Sequence, residues 1–120
     1  MKNLKVVSIQ ENGLTFESGI ELFSAHTQDC CEEHYLSFEH ISLSDFEGLE
    51  FDFTNNEFFT RIKGFGISLN PVNGFPVRIP GYGSNNGYYS SYLELIVSQY
   101  GFEWKRFNIT ECQDYEEETY

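Results

Sequence analysis

Three Asn-Gly pairs, at Asn12-Gly13, Asn73-Gly74 and Asn86-Gly87, constrain this chain more than any other feature. Both central residues of a type I′ turn need positive φ, which Asn and Gly tolerate best, so each pair predicts the tip of a β-hairpin. The flanking segments support that reading because several alternate with the period of two that a half-buried strand requires. Over residues 88–99, one face presents Tyr89, Ser91, Leu93, Leu95 and Val97, and the other presents Tyr88, Ser90, Tyr92, Glu94 and Ile96.

The remaining elements follow from the same signals. The first hairpin is predicted to join residues 4–10 to 14–24, with Gly19 bending the second arm. Further strands are expected over 33–41, 50–53, 57–63 and 102–109. The segment 67–80 carries Pro71, Pro76 and Pro80 around an Asn-Gly turn. Proline has no N–H for the ladder, so this hairpin is expected at a sheet edge or in a long arm. Ser44-Asp45-Phe46-Glu47, closed by Gly48, is the one helix start, good for a turn or two. The predicted fold is therefore α+β but mostly β: a twisted or rolled antiparallel sheet built from hairpins, with one short helix near residues 44–48. At 120 residues the chain has room for one core. One compact domain is expected over 1–112, followed by an acidic C-terminal tail over 113–120.

Charge narrows the function classes. The formal net charge is -12, unevenly spread. Residues 1–60 hold two lysines against twelve acids, whereas residues 61–106 hold Arg61, Lys63, Arg78, Lys105 and Arg106 against Glu94 and Glu103. Residues 107–120 add five acids and no base. Such a surface repels nucleic acid and membrane phosphate and steers toward basic partners. No stretch reaches the roughly 18 apolar residues of a membrane span, and the N-terminus lacks a signal-peptide core, so a cytoplasmic location is expected. Twelve Phe, eight Tyr and one Trp supply apolar area for a packed core despite the charge.

Two clusters are candidates for chemistry. The segment 26–34 places His26, Asp29, Cys30, Cys31, Glu32, Glu33 and His34 together. Its spacing matches no standard zinc knuckle, and adjacent strand residues point to opposite faces, so no metal or other cofactor is expected. If a metal bound here, His26, Cys30 and His34 would hold it. Carboxylates around the thiols disfavour thiolate, which argues against a cysteine nucleophile and against an enzyme. The second cluster is the glycine-rich segment 81–87, whose backbone amides suit an anion. With Arg61, Lys63, Arg78 and Tyr88 it forms the alternative expectation, a small binder of nucleotide-like anions.

The segment His26-Thr27-Gln28-Asp29-Cys30-Cys31-Glu32, with the later Ser84-Asn85-Asn86-Gly87-Tyr88-Tyr89-Ser90, resembles a family of small phage and bacterial domains. That family shows a His-Asp-Gln-Asp-Cys-Cys core and a Ser-Asn-Gly-Tyr-Tyr-Ser strand. Here Thr27 replaces the acid, and the later motif has one more Asn. The resemblance implies a compact α+β domain of phage or mobile-element origin. It transfers no functional residues, because the family carries no assigned chemistry.

Taken together, these features lead to an expected role as a small acidic protein that binds and inhibits a host protein. The particular version is an anti-defence inhibitor, such as an anti-CRISPR, occupying a basic groove made for nucleic acid. Acids held on a rigid sheet stand in for backbone phosphates. Glu32, Glu33, Glu47, Glu50 and Asp52 are the residues expected to line the contact. The partner is expected to be a basic, nucleic-acid-binding host protein, with no direct nucleic acid or membrane contact.

Overall fold

A computed structural model describes residues 3–11, 13–25, 33–84 and 93–115. The strands in chain order are β1 (Val6–Gln10), β2 (Gly13–Phe16), β3 (Ile20–Ala25), β4 (Glu33–Leu36), β5 (Phe59–Ile62), β6 (Gly66–Leu69), β7 (Val77–Ser84), β8 (Glu94–Gln99), β9 (Phe102–Asn108) and β10 (Asp114–Tyr115). The fold is mostly β, and among the described residues the helical content is confined to 3-10 turns. No helix among the described residues is long and apolar enough to cross a membrane.

The first sheet is antiparallel in the order β1-β2-β3-β8-β9. Gln10 pairs with Gly13 across the first hairpin. The expected second arm is in fact two strands. Ser18 and Gly19 have φ of 64° and 73°, so the chain reverses there instead of merely bending. Two consecutive left-handed residues fit the twist of a tight antiparallel connection. On β8, Leu95 and Val97 face the core while Glu94 is half-buried on the other side, following the expected alternation.

The second sheet runs β10-β7-β6-β5, with β4 on the remaining side of β7. Strand β7 changes partner halfway. Val77 to Pro80 pair with β6, and Gly81 to Ser84 pair with β4. The proline-bearing hairpin therefore lies inside the sheet, not at its edge. Pro80 is tolerated because its carbonyl, accepting from Ser37 N at 2.8 Å, faces the side where β4 has just ended. The missing N–H points the same way, past the last β4 pair and away from β6, so the β6 ladder loses no donor. Residues 113–115, expected in the acidic tail, belong to the fold. Gln113 is buried, and Asp114 and Tyr115 pair in parallel with Tyr82 and Gly83.

Both sheets turn their apolar faces into one core. Leu14, Phe16, Ile20, Leu22, Leu95 and Val97 come from the first, and Leu36, Phe59, Ile67, Leu69 and Ile79 from the second. The 22-residue connection from β4 to β5, residues 37–58, closes this core with five more phenylalanines: Phe38, Phe46, Phe51, Phe53 and Phe58.

Candidate protein-binding face

That connection is an acidic strap. Residues 37–58 contain Glu39, Asp45, Glu47, Glu50, Asp52 and Glu57 and no Lys or Arg. Its local sequence interleaves acids with phenylalanines, as in Asp45-Phe46-Glu47 and Glu50-Phe51-Asp52-Phe53. Aromatic side chains bury far more apolar area than any other available anchor, so each Phe goes inward and the adjacent acid is left at the surface. Phe46, Phe51, Phe53 and Phe58 are buried; Glu39, Asp45, Glu47 and Glu57 are exposed; Glu50 and Asp52 are half-buried.

The rings form a continuous path. Phe16 meets Phe51 and Phe53 edge-on, with centroids 5.5 and 4.8 Å apart. Phe53 contacts Phe58 at 4.9 Å, and Phe58 contacts Phe59 at 5.0 Å.

Backbone and side-chain hydrogen bonds fix the strap between these plugs. Leu4 and Phe51 exchange two backbone bonds of 2.9 and 2.8 Å. Ser42 N donates to Asp45 Oδ2 at 2.8 Å, so the capping interaction begins two residues before the expected Ser44 start, and the turn it opens is a 3-10 turn over Leu43–Phe46. Asp52 Oδ1 accepts from Thr54 N at 2.9 Å and from its hydroxyl at 2.6 Å. Glu57 N donates to Asn55 Oδ1 at 2.8 Å.

Of the expected contact acids, the structure brings Glu47, Glu50 and Asp52 onto this strap. It adds Glu39, Asp45 and Glu57, each next to a buried phenylalanine (Phe38, Phe46 and Phe58), so the Phe–acid interleaving marks all three. Glu33 lies in β4, on the far side of the strand boundary, and Glu32 lies outside the described residues. Among the described residues, no Lys or Arg forms an ion pair with Glu39, Glu47, Glu50 or Glu57.

Several cations are held by other groups. Lys105 Nζ donates to Phe53 O and to Asn56 Oδ1, both at 3.0 Å, so it binds the underside of the strap through neutral oxygens. Arg106 bridges Glu94 and Glu103 on the outer face of the first sheet. Its hydrogen bond to Glu103 holds that carboxyl below the ordinary range, and the two glutamates raise the guanidinium further.

The alternative anion-binding set is dispersed. Arg61 is paired with Ile67, which pairs with the buried Ile79, so it shares the inward face at the sheet margin. There Arg61 Nε donates to Asn108 O at 3.0 Å, with Cζ 5.2 Å from the Phe59 ring centroid. Arg78 pairs with Ser68, one residue out of step, and so belongs to the opposite face. Lys63 lines an open cleft of about 650 Å³ with Gly64, Asn108, Thr110, Glu111 and Gln113. Glu111 places a carboxylate in that same cleft. Tyr88 and residues 85–87 lie outside the described residues.

The conditional metal set falls mostly beyond what the structure describes. His26 and Cys30 lie outside the described residues, and of His34 only the backbone position in β4 is described. Among the described residues, no group of three or more His, Cys, Asp or Glu is arranged to hold a metal ion. Cys112 is buried, and burial pushes its thiol up despite an opposing hydrogen bond with the Ile62 backbone. A scan against protein-family models and searches of curated proteins and of solved structures found no match to this chain.

Proposed function

We propose that this protein binds a basic host protein and blocks the groove that the host protein uses for nucleic acid. The observation that carries the reading is the strap: carboxylates standing on a row of buried phenylalanines, in a chain that holds Lys105 and Arg106 in internal bonds. A fixed acidic array loses less conformational entropy on binding than a flexible tail, and its field steers a Lys/Arg-rich groove toward it. The resemblance to small phage and bacterial domains supports an anti-defence role, with an RNA-guided nuclease as the particular target class. The cytoplasm of the host cell is the location this role requires.

The test is competition. Purified protein is titrated into RNA-guided nuclease complexes while binding of fluorescent target DNA is followed. The expected result is displacement of DNA by the parent and much weaker displacement by a Glu47→Lys/Glu50→Lys variant. Raising salt from about 0.05 to 0.5 M should weaken the protein–protein complex, because the Debye length shrinks roughly threefold. A complex insensitive to both changes would rule out electrostatic mimicry.

A further inference from the structure

The loop joining β6 to β7 carries the most exposed aromatic ring among the described residues. Phe75 is 89% exposed, and Val72, three residues earlier in the same loop, is 55% exposed. A solvent-facing phenylalanine in a mobile loop would mean little, but this loop is held at several points. Asn73 uses both ends of its amide on the acidic strap: Oδ1 accepts from Glu50 N and Nδ2 donates to Gly48 O, each at 2.8 Å. Val72 N donates to Glu50 O, also at 2.8 Å. Gly74 sits so close to Leu49 that a β-carbon there would run into the leucine side chain. Pro71 and Pro76 flank the tip and fix their own φ. Phe75 is thus held beside the stretch of strap that carries Glu47 and Glu50.

Tyr100 shows what an exposed ring looks like when the fold uses it. It is 73% exposed, yet its ring lies against Gly19, and its N–H donates to Gly19 O at 3.2 Å. Phe75 stacks on no aromatic ring among the described residues.

We infer that Phe75, with Val72, is the apolar anchor of the contact face, inserted into a hydrophobic pocket that the basic partner frames with Lys and Arg. The inference rests on the strap being a contact face and specifies what that face recognises. A central aromatic anchor inside a charged rim is the usual anatomy of a protein–protein contact. Charge decides the occupant: a second copy also carries -12 and repels this face, whereas a cationic surface with an apolar recess satisfies both parts.

Two soluble probes separate the parts: poly-L-lysine, which offers charge alone, and a helical Lys/Leu peptide, which offers an apolar stripe rimmed by lysines. Binding is measured by fluorescence anisotropy for the parent, Phe75→Ser, Phe75→Leu, Phe102→Ser and Glu47→Lys/Glu50→Lys, each checked for native circular dichroism. The expected result is that Phe75→Ser weakens Lys/Leu binding roughly tenfold, the scale of a modest hot spot. Phe75→Leu should retain most of the affinity, Phe102→Ser should match the parent, and poly-L-lysine should not distinguish these three from the parent. If Phe75→Ser binds the Lys/Leu peptide like the parent while the double reversal weakens both probes, the anchor is refuted and the acidic face stands. Equal losses in Phe75→Ser and Phe102→Ser would refute it as well, by exposing non-specific adhesion. If the double reversal weakens neither probe, the acidic face itself fails and the anchor falls with it.

Discussion

The strap over residues 37–58 and the edge strand β9 handle the same two ingredients, aromatic rings and charge, in opposite ways. In the strap, phenylalanines go in and acids stay out, with Glu47 and Glu57 exposed and joined to no described Lys or Arg. In β9, Phe102 and Trp104 stay out, 77% and 41% exposed, while the cations are bound by neighbours. Lys105 reaches under the strap to Phe53 O, and Arg106 is bracketed by Glu94 and Glu103. The negative field is therefore a product of organisation as well as composition: the fold ties up the β9 cations Lys105 and Arg106 locally, and leaves one acidic segment standing. The charged and folding roles of the strap are separable at Glu47, which bonds no described Lys or Arg, but not at Asp45 and Asp52, whose carboxylates also accept the bonds that fix the strap.

The largest break in this contrast comes from removing a strap plug. Phe53 is buried, packs on Phe16 and Phe58, and lends its carbonyl to Lys105. Phe53→Ala should destabilise the protein by about 3–5 kcal/mol, the range for truncating a buried aromatic. Phe102→Ala on β9 should stay within about 0.5 kcal/mol, as surface changes do. Urea melts of the two variants decide it, and a mild Phe53→Ala would mean that the strap is not anchored by its rings.

Next is the one side chain that joins the two regions. Lys105→Met keeps the apolar stem but leaves Phe53 O and Asn56 Oδ1 without their donor. A loss of about 1–2 kcal/mol is expected for two hydrogen bonds at a part-buried site. Amide hydrogen exchange should then rise within residues 53–57 more than in β1 or β2; uniform acceleration would show that Lys105 supports the whole fold and not the strap.

These regions also differ in how far they could be read from sequence. Leu93, Leu95 and Val97 announce their inward face because a half-buried strand repeats every two residues, and the β9 hairpin follows from Tyr100-Gly101. The strap has no such period. Its plugs at 46, 51, 53 and 58 are spaced by 3-10 turns and side-chain bonds, so they read as a short helix and broken strands. The reversal at Ser18-Gly19 was hidden because serine seldom adopts positive φ. Pro80 misled for another reason: a strand that changes partner midway can accept a proline in a sheet interior, and the partner change is a tertiary fact. Glu47, Glu50 and Asp52 were legible as acids, but their union with Asp45 and Glu57 depends on which way each neighbouring Phe turns. Phe75 carries no periodic signal, and its place beside the strap depends on the tertiary bonds that Asn73 makes.

A smaller effect is expected at the Arg106 bridge. Glu103 is held below the ordinary carboxylate range, first by its hydrogen bond from Arg106. A carboxyl whose folded pKa is depressed adds stability above its unfolded pKa and loses it as pH falls through the folded one. Because Glu103 and Arg106 are both exposed at the surface, that contribution is small and salt-sensitive. The clear readout is the Glu103 carboxyl titration by NMR. Arg106→Ala should move its midpoint up toward the ordinary glutamate value, and an unmoved midpoint would deny the pairing.

The smallest effect on folding is expected where the largest effect on binding is proposed. Glu47 is exposed, belongs to a run of acids and meets no described cation, so its charge contributes repulsion to the folded state and no bond. Glu47→Gln should therefore change stability by less than about 0.5 kcal/mol, and in the stabilising direction. Salt should act the same way on the parent. Raising it from about 0.02 to 0.3 M shortens the Debye length roughly fourfold and screens repulsion within a chain of net charge -12, so the melting temperature should rise. In Glu47→Gln that rise should be slightly smaller, because one of the repelling charges is already gone. β9 predicts the reverse: salt weakens the attraction at the Arg106 bridge, and Glu94→Gln should be neutral or destabilising. Thermal melts of the parent and both variants at the two salt levels give the sign in each region. Destabilisation by Glu47→Gln would show that the fold needs this carboxylate after all, and the division between inward rings and outward acids would not hold at that position.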